Sequence, residues 1–194
     1  MVIGITGGIG AGKSTVLKLL KEKFGFTVIE ADLVAKELMR QGTVVYQQVT
    51  ERFGKEILRE DGEFDRKKLA AVVFQDKEKL AALNGIVHPA VIEEIRKQIT
   101  LNEAEGFGRF VIEAALLIES GCNRLCDQVW YIDTAEDVRI ERLKKGRGMT
   151  EEQIASVMKN QLPAEEFKRF TDAVIDNSYT EENTEEQIQN LLEF

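Results

Sequence analysis

The chain has 194 residues, of which 43% are hydrophobic, and its formal net charge is −8. These values predict one α/β domain with a full hydrophobic core, and they argue against a disordered chain. The acidic balance argues against a nucleic-acid or membrane surface, although it is compatible with a local basic cleft for a phosphorylated small molecule. Two cysteines and one distant histidine make a poor zinc site and suit a reducing compartment. Because the sequence shows no signal-peptide pattern and no long apolar run, we expect a soluble cytoplasmic protein.

Five short apolar runs predict β-strands, at residues 2–6, 27–30, 110–113, 128–133 and 173–176. Amphipathic periodicity predicts helices between them, at residues 13–23, 32–40, 136–145 and 150–161. Thr150 and Thr184 are each followed by Glu-Glu-Gln, which is the spacing of a capping box and predicts a helix start at both. Strands that alternate with helices predict a parallel sheet with right-handed crossovers.

The long stretch between the second and third strands predicts a helical insertion. Residues 43–105 are mainly helical in pattern, with predicted breaks at Gly54, at the Asp61-Gly62 turn and at Gly85. This stretch is too long for a simple crossover, so we predict an inserted subdomain at about residues 33–105 within one domain of residues 1–194. The two helices at about residues 136–161 predict a second, smaller flap.

Residues 7–14 carry the strongest motif, because they match G-x-x-x-x-G-K-[ST] between a strand and a helix. Glycines permit a loop whose N–H groups point at phosphate oxygens, and the helix N-terminus adds positive partial charge. Lys13 is predicted to neutralise the β- and γ-phosphates of a nucleoside triphosphate, and the Ser14 hydroxyl to hold Mg²⁺. A turn that binds nothing has no need of this Lys-Ser pair, and a dinucleotide fingerprint fails because its third glycine falls on Lys13. The predicted nucleotide-binding residues of the loop are Gly8, Gly10, Ala11, Gly12, Lys13, Ser14 and Thr15.

A loop of this kind does not by itself separate kinases from switches or motors. The sequence has no N-K-x-D guanine motif, and it is too short to hold the partner domains of a motor. A small-molecule kinase needs a carboxylate for the acceptor proton, a subdomain for the acceptor and mobile arginines. Asp32, directly after the second strand, fits a general base and fits an N-cap equally well. Arg139, Arg142 and Arg147 fit a solvated helix face or a lid, and their place between the last two strands favours the lid.

Several further segments are specific only when their order and spacing are taken together. They are residues 6–15, 30–32, 53–74, 88–89, 115–121, 139–150, Gln161 and 174–177. In these segments the chain resembles the dephospho-coenzyme A kinase family nearly end to end. The resemblance implies an adenylate-kinase-like P-loop NTPase fold, with a five-stranded parallel sheet flanked by helices, a helical substrate-binding subdomain and a small lid. It also implies that ATP phosphorylates the ribose 3′-hydroxyl of dephospho-CoA, giving CoA and ADP in the last step of coenzyme A biosynthesis.

The resemblance implies roles for single residues as well. Asp32 becomes the general base, which decides between base and cap. Arg66, His88 and Leu116 fall in segments expected to bind the acceptor, and Asn177 is expected near the adenine. The implied small-molecule partners are ATP and dephospho-CoA, with Mg²⁺ as cofactor, and we expect a monomer or weak homo-oligomer.

Two departures from the family pattern affect the site. Ala115 stands where the family usually has proline, and Arg147 comes one place later than the usual lid arginine. The predicted nucleotide-binding residues of the lid are Arg139 and Arg147, and the shift of Arg147 makes Arg139 and Arg142 the favoured lid residues. The alternatives are another P-loop kinase of nucleotides or small metabolites, because the loop does not select the acceptor, and a nucleotide-binding switch without catalysis. The predicted catalytic residues are Asp32, Lys13 and Arg142.

Overall fold

A computed structural model of the chain describes residues 1–159 and 167–193. The chain forms two compact units, one made of residues 1–29 with those from 107 onward, and the other of Glu30–Gly106. The predicted insertion, at about residues 33–105, falls inside the second unit.

The first unit is built on a five-stranded sheet, which confirms the five predicted strands. The sheet has the order β2-β3-β1-β4-β5, where the strands are β1 (Val2–Gly7), β2 (Thr27–Glu30), β3 (Phe110–Glu113), β4 (Gln128–Asp133) and β5 (Ala173–Asp176). Strand β1 pairs in parallel with β3 and β4, and β4 pairs in parallel with β5. Central strands of a parallel sheet are covered on both faces, which is why β1 and β4 are continuous apolar runs rather than alternating ones.

The helices begin and end near their predicted bounds where the periodicity is strong. They are α1 (Lys13–Glu22), α2 (Ala31–Leu38), α3 (Val44–Phe53), α4 (Arg66–Phe74), α5 (Lys77–Ala104), α6 (Glu136–Arg147), α7 (Glu151–Lys159) and α8 (Glu181–Leu192). The helix predicted at residues 150–161 corresponds to α7 over its described part, and Gln161 lies outside the described residues. Within the described ranges, no helix combines the length and the apolar character needed to span a membrane.

Helices α1 and α8 pack in the core of the first unit. Val16, Leu19 and Leu20 recur on one face of α1 at helical spacing and are buried. They share one core with Trp130 of β4 and Ile188 of α8. Burying an aliphatic side chain of this size contributes roughly 1.5–3 kcal/mol. This core therefore holds the strands in place. The polar residues of the site come directly after the ends of these strands in the sequence.

The second unit is a group of helices around α5, which contacts α2, α3 and α4. Two of the three predicted breaks in this region are confirmed. Helix α3 ends before Gly54, and the chain turns at Asp61-Gly62, where Leu58 and Phe64 form an antiparallel bridge across the turn. Gly62 has a φ of 84°, which a residue with a β-carbon rarely adopts.

The predicted break at Gly85 is wrong, because α5 runs without interruption over 28 residues and also contains Pro89. Proline lacks an N–H and crowds the carbonyl four residues earlier, which here belongs to Gly85. Pro89 therefore removes the backbone hydrogen bond that Gly85 O would otherwise accept, whereas Gly85 itself costs only conformational entropy. Val87, Val91 and Ile95 are buried along the helix, and their packing outweighs the low helix propensity of one glycine, about 1 kcal/mol.

The two predicted capping boxes have different outcomes. At α7, Thr150 Oγ1 accepts from the Gln153 N–H at 3.3 Å, and the Thr150 N–H donates to Gln153 Oε1 at 3.0 Å, which confirms the box. The prediction for α8 is wrong, because this helix begins earlier, with Thr180 as the N-cap that accepts from the Asn183 N–H. Thr184 lies inside the helix and is fully buried, so its hydroxyl is available for a tertiary contact.

Candidate active site

The glycine-rich loop between β1 and α1 requires glycine at two positions. Gly10 and Gly12 have φ of 77° and 79°, in the left-handed region. A β-carbon on Gly12 would lie 2.2 Å from Asn177 Nδ2, and one on Gly10 would lie 3.0 Å from Leu143 Cγ. The loop therefore packs closely against its own unit, and its surface is formed by backbone groups, as a phosphate cradle requires.

Lys13 is the first residue of α1, and its ammonium is held beside the loop. Its Nζ donates to Gly7 O at 3.1 Å and lies 3.9 Å from Glu113 Oε1. The Lys13 and Glu113 side chains are only 20% and 18% exposed. A partly desolvated ammonium at a helix N-terminus is a strong attractor for phosphate. This position agrees with the role that the motif predicts.

Ser14 and Thr15 follow Lys13 in the first turn of α1. Ser14 is exposed, and its hydroxyl has no hydrogen-bond partner in the part of the chain that the structure describes. The Thr15 N–H donates to Gly12 O at 2.9 Å and so is used within the loop. The Ser14 hydroxyl is thus available as an oxygen ligand, the type that Mg²⁺ takes.

Glu113 is a site residue that the sequence analysis did not identify. It ends β3, and the register places it beside Ile5 of β1, the strand that leads into the loop. The sequence does show an acidic residue at the end of a predicted apolar strand, which is a typical position for a site residue. However, only the sheet order shows that β3 is the neighbour of β1 and brings this carboxylate to Lys13.

Two of the three predicted lid arginines meet the loop region of the first unit. Arg139 Nε donates to Ile9 O at 3.0 Å, and Arg142 Nη2 donates to Asn177 O at 2.9 Å. Arg142 Nη1 is buried and has no hydrogen-bond partner among the described residues, and it lies 3.1 Å from the place of a β-carbon on the loop's last glycine. Arg147 lies at the exposed end of α6. The structure therefore brings the first two to the loop and leaves the third on the surface.

Asn177 follows β5, and its side chain is buried behind the glycine-rich loop. Its Nδ2 donates to Ala11 O at 2.8 Å, and its Oδ1 accepts from Thr184 Oγ1 at 2.9 Å. The amide thus has partners within the protein on both sides. The expectation that Asn177 lies near the adenine stays a prediction.

Asp32 belongs to the second unit and lies on the wall of a cavity of about 550 Å³. It is the second residue of α2, whose N-cap is Glu30, so the alternative that Asp32 caps the helix is wrong. The carboxylate is exposed and has no hydrogen bond or ion pair with any described residue. Arg66 lines the same cavity. Three further cationic residues line it as well, namely Lys36, Arg40 and Arg59, together with apolar residues that include Phe64, Leu69 and Val73.

His88 and Leu116 take other positions. His88 lies in the middle of α5 and is not among the residues that line this cavity. Partial burial lowers the pKa of its imidazole below the ordinary value. Leu116 belongs to the first unit, in the turn after β3, and its side chain is 52% exposed. Both acceptor-binding roles stay predictions.

We expect neither cysteine to react in the folded protein. Both are free thiols, and Cys122 is buried. Burial also raises the pKa of the Cys126 thiol to about 12. At pH 8 only about one Cys126 in ten thousand would then be a thiolate, compared with about a quarter of ordinary thiols.

Iodoacetamide at pH 8 should label both thiols in urea and neither in the native protein. Rapid native labelling that a Cys126→Ser variant lacks would contradict this.

The features of the first unit together define a class of enzyme. The glycine-rich loop follows the central strand of a parallel sheet in the order 2-3-1-4-5 and ends in Lys13-Ser14. Helix α6, between β4 and β5, directs two arginines to the loop region. This arrangement is that of a P-loop kinase, a class whose loop binds the phosphates of a nucleoside triphosphate and whose cationic side chains neutralise the charge around them.

The chain belongs to the dephospho-CoA kinase family, whose model matches residues 1–183. It is 41% identical to the dephospho-CoA kinase of Carboxydothermus hydrogenoformans, with 99% of this chain and 93% of that protein covered. It is also 41% identical to the enzyme of Bacillus anthracis, with 99% and 96% covered. Among solved structures, TT1252 of Thermus thermophilus matches with a TM-score of 0.78 at 28% identity, over 100% of this chain and 96% of that one.

These matches confirm the predicted family, fold class and enzyme class. They also confirm the predicted function, the ATP-dependent phosphorylation of dephospho-CoA in the last step of coenzyme A biosynthesis. A shikimate kinase of Bacteroides thetaiotaomicron has a TM-score of 0.56 at 16% identity, over 100% and 99% of the two chains. At that identity it shows a shared fold alone.

Proposed function

We propose that Lys13 and Ser14 bind ATP with Mg²⁺, and that Asp32 accepts the proton of the 3′-hydroxyl of dephospho-CoA. The observation that carries the first part is the Lys13 ammonium, held 3.1 Å from Gly7 O at the N-terminus of α1. Phosphoryl transfer passes through a loose transition state, so positioning and charge neutralisation supply most of the catalysis. A lysine already fixed beside the loop supplies this charge without rearrangement.

Mg²⁺ is proposed as the ion that accompanies ATP. The free hydroxyl of Ser14 and the carboxylate of Glu113 are oxygen donors of the type that this ion prefers. Ser14 would hold the ion directly, and Glu113 would orient one of its waters. The described residues contain no cluster of three or more acidic, histidine or cysteine side chains that could hold a metal. The remaining ligands would therefore be phosphate oxygens and water, as is usual for Mg²⁺ with nucleotides. When bound, the ion would neutralise part of the negative charge of the phosphates.

The cavity beside Asp32 has a composition that suits dephospho-CoA. Four cationic side chains, including Arg66, line it against two carboxylates, those of Asp32 and Glu63. Arg40 and Arg59 form ion pairs with Glu37 and Asp61, which leaves the cations of Lys36 and Arg66 to meet the diphosphate of the acceptor, and we propose that Arg66 binds it. The apolar side chains of the wall match the less polar parts of the acceptor. Asp32 has no partner among the described residues, which leaves its carboxylate available to a hydroxyl.

The proposed step is a single displacement at phosphorus. The acceptor oxygen forms a bond to the γ-phosphorus, and the bond from that phosphorus to the β–γ bridging oxygen breaks, so that ADP leaves. The hydroxyl proton passes to the Asp32 carboxylate. Arg139 and Arg142 stabilise the negative charge that spreads over the transferring group, and closure over it excludes competing water.

An ADP-release assay with several acceptors tests the proposed function. We expect dephospho-CoA to stimulate ADP release strongly, and AMP, CMP and shikimate to give only the background rate. EDTA should abolish the stimulated rate, and added Mg²⁺ should restore it, because ATP binds productively only with the ion. Equal stimulation by another acceptor would favour a different kinase activity, and tight ATP binding without acceptor-stimulated turnover would favour a switch. Full activity in EDTA would contradict the proposed requirement for Mg²⁺.

The cytoplasm is the proposed location, with a monomer or weak homo-oligomer as the proposed state. Support for the location comes from the two free thiols. Thiols stay reduced in the cytoplasm, whereas oxidising compartments convert many of them to disulfides.

A further inference from the structure

We infer that Asn177 is a positioning residue for ATP binding, which fixes the direction of a phosphate-binding N–H of the loop through the carbonyl of Ala11. The inference rests on the proposed function in taking the phosphates of ATP as the ligand of this loop. Ala11 is buried, and its carbonyl oxygen lies 2.8 Å from Asn177 Nδ2 and 2.9 Å from Thr134 Oγ1. Two polar groups thus converge from behind on one peptide of the loop.

Asn177 is the more effective of the two donors. Thr134 Oγ1 also lies 2.6 Å from Asp133 O, and a hydroxyl has only one proton to share between the two carbonyls. The amide of Asn177 has N–H bonds in fixed directions, and one of them is committed to Ala11 O. Its second contact within the loop, to Gly12 O, is longer at 3.4 Å. The direction of the Ala11 carbonyl is therefore set mainly by Asn177.

The consequence follows from the geometry of a peptide bond. The peptide between Ala11 and Gly12 is trans and planar, so its C=O and N–H point in opposite directions. Holding the Ala11 oxygen toward the buried side directs the Gly12 N–H to the opposite side, where the loop binds phosphate. Gly12 has φ of 79° and no β-carbon to restrain it, so without Asn177 this peptide has more freedom to rotate than most.

The orientation of the Asn177 amide is itself fixed by neighbouring elements. Thr184 of α8 is fully buried, and its Oγ1 lies 2.9 Å from Asn177 Oδ1, closer than its other acceptor, Thr180 O, at 3.2 Å. The reversed amide would place its oxygen against the Ala11 oxygen, which is repulsive. On the backbone, the Asn177 N–H donates to Asp133 O at 2.8 Å and extends the β4–β5 ladder by one step. Thr184 therefore orients the Asn177 amide, and the amide in turn orients the Ala11 carbonyl of the loop.

Two variants test this inference through binding rather than turnover. Asn177→Asp keeps the size of the side chain but presents an acceptor to the Ala11 oxygen, and Thr184→Val removes only the hydroxyl that orients the amide. We expect both to weaken binding of diphosphate and of ADP by the same factor, between about tenfold and a hundredfold, the loss typical of a hydrogen bond to a charged group. KM for ATP should rise in step while KM for dephospho-CoA does not change. Thr184→Ser, which keeps the hydroxyl, should restore native binding.

The binding probe is inorganic diphosphate, measured by calorimetry and by competition with a fluorescent ADP analogue. It carries the phosphate groups without the base, so it separates positioning of the loop from contact with adenine. A loss for ADP but not for diphosphate would overturn the inference in favour of an adenine contact. Lower thermal stability with native diphosphate affinity in both variants would overturn it in favour of a purely structural role. If the native protein itself failed to bind diphosphate, the ligand proposed for the loop would also be wrong.

Discussion

Replacing Lys13 by methionine should lower kcat/KM for ATP by about a hundredfold to a thousandfold, the loss typical of one preorganised donor at a developing charge. Methionine has a similar length and no charge, so the substitution removes the ammonium and little else. The native Lys13 side chain is only 20% exposed, beside Gly7 O and the Glu113 carboxylate, where a charge acts on phosphate more strongly than in bulk water. The coupled ADP-release assay, run over a range of ATP concentrations, measures the effect.

A matched control comes from the same helix. Lys21→Met changes the same residue type at an exposed position of α1 and should leave the kinetics unchanged. The thermal midpoint of Lys13→Met needs to be recorded as well, because the native lysine also contacts the Glu113 carboxylate within the protein. A folded Lys13→Met enzyme with activity within about threefold of the native rate would contradict the assigned role.

The strands and the first helix were predictable because their signals are local. Strand β1 is an uninterrupted apolar run, and α1 repeats its buried residues at helical spacing. The continuous helix α5 was not predictable, because Gly85 and Pro89 are both helix breakers when taken alone. Burial of Val87, Val91 and Ile95 decides their conformation, and tertiary packing of this kind is not visible in a local window.

The site was predictable to the extent that its residues are adjacent in sequence. The loop from Gly7 to Ser14 forms one motif, so spacing alone identified it. Glu113 and Thr184 reach the loop region from distant segments, through the pairing of β3 with β1 and through the docking of α8. Thr184 was also misleading, since its capping-box spacing predicted a helix start although its hydroxyl serves the Asn177 amide.

The second large effect is expected at Asp32. Asp32→Asn should lower kcat by about a hundredfold to ten-thousandfold with KM for ATP unchanged, because asparagine keeps the shape of the side chain but cannot take up the hydroxyl proton. The carboxylate has no partner among the described residues, so its removal should cost little stability. Initial rates at saturating ATP and dephospho-CoA, with the thermal midpoint alongside, measure both quantities.

Glu63→Gln is the matched control, because Glu63 lines the same cavity and the substitution removes the same charge. If Asp32 acted only through the electrostatic field of the cavity, the two variants would have similar effects. If it served only to bind the acceptor, Asp32→Asn would raise KM for dephospho-CoA and leave kcat near the native value. A general base instead predicts a loss in kcat at Asp32 that Glu63→Gln does not reproduce. This difference in kcat separates a role in proton transfer from a role in acceptor binding and from a purely electrostatic role. A native kcat in Asp32→Asn would exclude Asp32 as the general base.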